Sequence, residues 1–319
     1  MPDRYILEFE EPLREIRQKI KEMEAWAEHD PEHARAEIRI LEDKERRLSN
    51  EIYGNLTNWQ RVQIARHPNR PYTLDYIAMM MTEFTELHGD RCTSDDPAMI
   101  TGFAKIDTLS VAVIGQQKGR DSESRMARNF GMPNPEGYRK ALRIMKLAEK
   151  FSRPVLTFVD TPGAFPGIQA EEHGQGEAIA RNLMEMSRLK VPIIVTVIGE
   201  GGSGGALGIG VGDRVIMLEN AWYSVISPES CSTILVRNSD KKDLFAEALK
   251  LNANDLKKSG IVDIIIPEPI GGVHNDPLMV ADRLKNEIAA IVKKLKNVSP
   301  DELIHARIKK FRLMGRWSE

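Results

Sequence analysis

Cysteine is scarce in this sequence. The two cysteines, Cys92 and Cys231, stand far apart and form no C-x-x-C. That excludes a disulfide framework and a zinc ribbon built by this chain alone. Long apolar runs are missing too: none reaches the ~18–20 residues that span a membrane. The polar start Met1-Pro2-Asp3-Arg4 has no apolar stretch of the signal-peptide kind. Charge of either sign is not in excess; the formal net charge is −2. Bulk attraction to nucleic acid is therefore excluded as the basis of function. No low-complexity tract and no fixed-period repeat occurs. The expectation is a cytoplasmic protein with no membrane partner.

What is present suffices for a large core. The chain has 319 residues, 41% of them hydrophobic, enough for two domains or one large one. Residues 11–56 are rich in Glu, Arg and Lys. Leu13, Ile16, Ile20 and Met23, then Ile38, Leu41, Leu48 and Ile52, repeat at helical spacing on either side of Asp30-Pro31. Asp30 is placed to cap the second helix, with Pro31 at its first position. We expect a helical hairpin over 1–58, a main domain over 59–297 and a C-terminal helix over 298–319. Within the main domain, 57–72 reads as an irregular connector in which Arg66 and His67 are structural rather than ligand-binding. Residues 73–88 read as a helix with Leu74, Ile77, Met81, Phe84 and Leu87 on one face.

From about residue 99 short β-rich runs alternate with helical ones. Strands are expected at Met99–Ile106, Ser110–Gly115, Pro154–Asp160, Val191–Ile198, Arg214–Leu218, Trp222–Ile226 and Gly260–Ile266. Helices are expected from Pro135, at Gln175–Leu189, Gly204–Val211, Glu229–Val236, Pro277–Lys296 and Pro300–Leu313. Several strands come in pairs before a helix. This ββα rhythm departs from strict βαβ alternation.

The densest signal is Gly199-Glu200-Gly201-Gly202-Ser203-Gly204-Gly205-Ala206-Leu207. Glycine at this density is entropically costly and implies close approach to the backbone. Three chemical readings stand open. Gly199, Gly201 and Gly204 fit G-x-G-x-x-G, with Glu219 near the position of an acidic ribose ligand. Gly201, Ser203 and Gly205 fit the nucleophile elbow G-x-S-x-G, with Asp213 or Asp263 and His274 downstream. The third is a main-chain oxyanion hole. A plain alternative is a tight turn whose glycines serve packing only. A second rigid loop, Asp160-Thr161-Pro162-Gly163-Ala164-Phe165-Pro166-Gly167, ends the preceding buried strand. Two loops from consecutive strand ends can aim a pair of N–H groups at one oxygen, which raises the oxyanion reading over the dinucleotide one.

Residues ~60 to ~296 resemble a known family. The stretches that carry the resemblance are Ala65-Arg66-His67-Pro68, Arg70-Pro71-Tyr72-Thr73-Leu74-Asp75-Tyr76, Gly115-Gln116-Gln117-Lys118-Gly119-Arg120 and Arg128-Asn129-Phe130-Gly131-Met132-Pro133. Pro135-Glu136-Gly137-Tyr138-Arg139-Lys140-Ala141, both loops above, and Tyr223-Ser224-Val225-Ile226-Ser227-Pro228-Glu229 complete them. They are similar to the α subunit of the carboxyltransferase component of bacterial-type acetyl-CoA carboxylase. The resemblance implies an α/β fold, a crotonase/ClpP-like spiral of ββα units with an N-terminal helical hairpin. It implies transfer of a carboxyl group from carboxybiotin, on a biotin carboxyl carrier protein, to acetyl-CoA. The product is malonyl-CoA for fatty acid synthesis. It implies further partners: a β subunit that binds most of CoA and carries a zinc ribbon, in an α2β2 assembly, and biotin carboxylase. No metal is implied on this chain. Two oxyanions arise, and this chain would serve the biotin ureido oxygen. The implied donors are the backbone N–H groups of Gly204 and Gly205 and of Ala164 and Phe165. Gly163, Gly202, Lys118 and Arg120 are expected to bind substrate. Lys118, Arg120, Arg125 and Arg128 form a cationic stretch for phosphate or carboxylate groups. One departure stands out: Ser230 and Ser232 in Ser227-Pro228-Glu229-Ser230-Cys231-Ser232 replace the family's Gly and Ala.

Overall fold

The computed structural model describes residues 5–27 and 30–315. An N-terminal helical pair, α1 (Glu11–Trp26) and α2 (Pro31–Gly54), comes first. Asp30 caps α2 by accepting from the His33 amide, with Pro31 in the first turn. Next come α3 (Asn58–Ala65), α4 (Thr73–Met80), β1 (Thr82–Glu86), β2 (Met99–Ile106), β3 (Leu109–Gln116), α5 (Ser122–Ala127) and α6 (Pro135–Lys150). The centre holds β4 (Val155–Thr161), α7 (Ile168–Glu172), α8 (Gln175–Arg188), β5 (Ile193–Gly202), α9 (Ser203–Leu207), β6 (Arg214–Leu218) and β7 (Trp222–Ser224). The chain continues through α10 (Pro228–Val236), α11 (Lys242–Leu249), α12 (Ala253–Lys258), β8 (Ile264–Ile266), α13 (Pro277–Leu295) and α14 (Pro300–Arg312).

One mixed sheet organises these elements, in the order β1-β2-β3-β4-β5-β6-β8, with β7 paired to the far end of β5. β1, β2 and β3 are antiparallel; β3 through β6 and β8 run parallel. Parallel strands covered on both faces read as unbroken apolar runs. β4 and β5 fit this, being buried along their whole length. The amphipathic α6 lays Tyr138, Ala141, Ile144, Met145 and Ala148 into the core. At the amino ends of β5 and β6, Arg307 of α14 reaches in. It donates to both Asp213 carboxylate oxygens (2.9 and 2.8 Å) and to the carbonyls of Met186, Leu189 and Val191. Both side chains are almost wholly buried.

Several segments differ from expectation. The helix expected over 73–88 stops at Met80. Met81 turns extended (φ −126°, ψ 157°), and Thr82–Glu86 pairs as an edge strand with β2. Sheet pairing there overrides a helical spacing of apolar residues. The connector over 57–72 contains a true helix, α3, capped by a reciprocal box between Thr57 and Gln60. The strand expected to end at Ile198 runs on to Gly202. β7 and β8 are shorter than expected, each three residues. α11 and α12 were not anticipated. Among the described residues, no helix is long and apolar enough to cross a membrane.

Candidate active site

The carboxyl ends of β4 and β5 lie side by side, with Thr161 opposite Gly201 after a register shift. The two glycine-containing loops that leave them pack backbone against backbone. A Cβ on Gly202 would stand 2.1 Å from the Pro162 carbonyl oxygen, and one on Gly205 2.3 Å from the Gly163 carbonyl carbon and 2.4 Å from the Ala164 nitrogen. A Cβ on Gly199 would lie 2.5 Å from Asp160 Oδ1, and one on Gly201 2.7 Å from the Tyr223 ring. The glycines therefore do serve packing, and what they pack is one loop onto the other. Gly163 and Gly204 differ. A Cβ on Gly163 would meet nothing within 4 Å, and one on Gly204 only Ile179 Cδ1 at 3.8 Å. These two positions border open space.

Backbone donors can be accounted for one by one. The Gly163 amide donates to Thr161 Oγ1 (3.1 Å). The Phe165 amide donates to the Pro133 carbonyl (3.0 Å) and is thereby committed to the fold. Ala164, between them, donates to no protein acceptor among the described residues. Ser203, Gly204 and Gly205 form the first turn of α9, where amides precede any intrahelical acceptor. The N-cap is Gly202, so no side chain caps them. Ser203 holds a left-handed φ of 52°, unfavourable for a residue with a Cβ. Side chains fix the other faces of these peptides. The Gly205 carbonyl accepts from Gln116 Nε2 (2.8 Å) and Tyr138 Oη (3.1 Å). Gln116 Oε1 in turn accepts from the Asp160 amide (3.0 Å), so one amide side chain ties both strand ends. Gln175 Nε2 donates to the Pro133 and Phe165 carbonyls, both at 3.0 Å.

A chain of charges lies beneath. Lys118 Nζ donates to Asp160 Oδ1 (2.7 Å) and Glu200 Oε1 (2.8 Å). Arg66 Nε donates to Glu200 Oε2 (2.7 Å), and its other arm pairs with Glu229. Burial opposes ionisation of Glu200, but Lys118 and Arg66 outweigh it and hold the carboxyl at about 2. Burial likewise works against the Lys118 ammonium. Asp160 and Glu200 prevail and hold it above the ordinary lysine range. Burial dominates at Asp160, whose carboxyl is pushed up. Of the expected cationic stretch, Lys118 is thus enclosed in an ion network. Arg120 stays half-exposed, paired with Asp75, bonded to the Pro68 carbonyl (3.0 Å) and lying over the Tyr72 ring at 4.7 Å. Arg125 and Arg128 bond the Gly119 and Pro97 carbonyls. Arg66 is held in its ion pairs with Glu200 and Glu229; His67 is buried and stacks on His274 at 3.7 Å. At the start of α10 the Ser230 amide donates to Ser227 Oγ (3.2 Å), and Ser230 Oγ accepts from Ser227 Oγ (3.0 Å).

Two alternative readings lose their geometry. For the hydrolase, Asp213 accepts from the Ile193 amide and Asp263 from the Val215 amide, both at the amino ends of their strands. Ser203 follows the carboxyl end of β5, whose ten residues set roughly 30 Å between. His274 is engaged with His67 rather than with Ser203. For the dinucleotide fingerprint, Gly199 and Gly201 lie inside β5 instead of in a turn. Glu219 accepts from the Glu268 amide. Sequence reasoning missed Gln116, Tyr138, Asp160 and Glu200 as supports of the loops. For Asp160 and Glu200 the available signal was a polar residue near the end of a largely apolar strand.

The mixed α/β sheet, with two loops packed together at adjacent carboxyl ends, is a fold shared with solved carboxylase, transcarboxylase and decarboxylase structures. The transcarboxylase 12S core superposes with a TM-score of 0.54 at 21% identity, covering 67% of this chain and 42% of that one. The β subunit of Pseudomonas aeruginosa geranyl-CoA carboxylase gives 0.56 at 15% identity (74% and 43%). A Pseudomonas malonate decarboxylase hetero-tetramer in complex with coenzyme A gives 0.55 at 17% identity (68% and 86%). Residues 6–315 match the family described as acetyl co-enzyme A carboxylase carboxyltransferase-like. Relatives named acetyl-coenzyme A carboxylase carboxyl transferase subunit alpha occur in Chlorobium phaeobacteroides strain BS1 (56% identity; 100% of this chain, 99% of the relative) and Syntrophotalea carbinolica (53%; 97% and 98%). The chain belongs to the family of carboxyltransferase α subunits of acetyl-CoA carboxylase.

Proposed function

We propose that this chain, with a β subunit, transfers the carboxyl group of carboxybiotin to acetyl-CoA to give malonyl-CoA. Carboxybiotin is the carboxyl donor and leaves negative charge on its ureido oxygen as the carboxyl group departs. What this chain must supply is a pair of preorganised donors for that oxygen. The observation that carries the reading is the packing of Gly205 on Gly163 and Ala164, which holds two uncommitted stretches of main chain together. We assign the donors to the Ala164 amide and to the Gly204–Gly205 amides, with Gly163 and Gly202 shaping the loops. Phe165 contributes its carbonyl and amide to the fold rather than a donor to substrate. We assign Arg120, half-exposed although paired with Asp75, to phosphate or carboxylate groups. A side-chain nucleophile is not required in this scheme, because the biotin nitrogen takes the methyl proton and the resulting enolate attacks CO2.

The partners follow from the chemistry. Carboxybiotin arrives on a carrier protein charged by biotin carboxylase, and the thioester enolate needs its own donors, which we assign to the β subunit in an α2β2 assembly. The decisive experiment is the reverse reaction, malonyl-CoA-dependent carboxylation of free biotin. Each subunit alone serves as control. Activity only in the mixture is expected. A well-formed but silent complex refutes the proposal.

A further inference from the structure

The ion network has one feature that folding alone does not require. Asp160 sits next to the end of β4 and Glu200 two residues before the end of β5. They meet directly, the Glu200 amide donating to Asp160 Oδ1 (2.9 Å). Lys118 Nζ bridges both carboxylates, at 2.7 and 2.8 Å. The side chains of Asp160 and Glu200 are 1% and 7% exposed, and that of Lys118 is 13% exposed. Three charges withdrawn from water cost more than an apolar trio of the same volume. Their place in the fold offers a reason. Pro162, two residues past Asp160, abuts Gly202, and Gly163 and Ala164 abut Gly205. The bridge thus joins the roots of the two loops that carry the assigned donors. The lysine stem is itself held: a Cβ on Gly131 would lie 2.6 Å from Lys118 Cγ. Asn129 and Phe130, which lead into Gly131, both adopt left-handed φ (48° and 56°).

We infer that Lys118 is a positioning residue, whose ammonium pins Asp160 to Glu200 and so sets the separation of the Ala164 and Gly205 amides, instead of binding substrate. This rests on the function proposed above. A clamp on the loop roots acts on the transition state and leaves ground-state affinity alone. Misplacing a catalytic group by ~1 Å costs on the order of 10²-fold.

The test uses the complex with its β subunit in the malonyl-CoA-dependent carboxylation of free biotin. For Lys118→Met, kcat is expected to fall about 10- to 100-fold, while KM for malonyl-CoA and for biotin stays within about twofold. A purely structural role lowers the melting temperature and leaves kcat per folded complex intact. A substrate-binding role raises a KM instead. Either result overturns the inference. If Lys118→Met does not fold, the pair Lys118→Met/Asp160→Asn removes one charge of each sign. It is expected to fold and to show the same loss of kcat; wild-type kcat in that pair overturns the inference. A silent wild-type complex overturns the proposed function and this inference with it. An active wild type with an unimpaired variant overturns the inference alone.

Discussion

Replacing Gly205 by alanine probes the contact on which the site depends. The added Cβ would stand 2.3 Å from the Gly163 carbonyl carbon and 2.4 Å from the Ala164 nitrogen, where ordinary contact begins at 3.4 Å. The neighbours are backbone, so the loop after β4 must retreat by about 1 Å. Overpacking of this kind costs about 1–3 kcal/mol of stability, partly offset by the ~0.5–1 kcal/mol that alanine gains over glycine in a helix. The effect on rate is larger. A retreat of ~1 Å separates the two proposed donors and is expected to cost on the order of 10² in kcat, comparable to losing one oxyanion-hole donor. Gly205→Val should be at least as damaging. The assay is carboxylation of free biotin by the purified complex, with assembly checked by gel filtration. Gly176→Ala is the control: a Cβ there meets nothing within 4 Å in α8, so stability should rise slightly with kcat unchanged. Wild-type kcat in an assembled Gly205→Ala complex would refute the reasoning. So would an equal loss in the control.

Three further outcomes are expected. Ser203→Ala should keep kcat within about twofold of wild type and the protein should resist fluorophosphonate labelling, because the proposed donors are main-chain amides; loss of activity would restore the hydrolase. Arg307→Met strands the buried Asp213 carboxylate and should cost about 3–5 kcal/mol in urea unfolding; a loss below ~1 kcal/mol would show that α14 is not anchored by this pair. Burial pushes the Asp96 carboxyl up to about 6, against the Ala98 and Asn134 amides that favour its ionised form. The folded state therefore keeps a proton that the unfolded chain releases between about pH 4 and 6, and this group's contribution falls as pH rises through that window. Asp96→Asn should gain on wild type by on the order of 2–3 kcal/mol from pH 4 to pH 7; parallel unfolding curves would contradict this.

Local chemistry made some of the molecule legible in advance. Asp30-Pro31 marked the start of α2, and Pro135, Pro277 and Pro300 opened helices as their fixed φ allows. The all-apolar runs of β4 and β5 marked buried strands. The glycine-rich segment marked the contact between the two loops, and its glycines serve a strand and that contact before they serve a turn. β1 was hidden because Met81, Phe84 and Leu87 continue a helical spacing while the backbone obeys its pairing with β2. The capping box of α3 was visible in Thr57 and Gln60 and was masked by the surrounding arginines and prolines. Gln116 could not have been found from local pattern. Its two bonds reach residues 44 and 89 positions away, and only the folded sheet brings them together. The same holds for Lys118, which read as part of a substrate-facing charge stripe and is instead turned inward onto Asp160 and Glu200.

The most direct measurement is a crystal structure of the complex with its β subunit and bound biotin. The account predicts the ureido oxygen within about 2.7–3.1 Å of the Ala164 amide and of the Gly204 or Gly205 amide, with Lys118 still bridging Asp160 and Glu200. A ureido oxygen held by side chains, or bound away from these two loops, would contradict it.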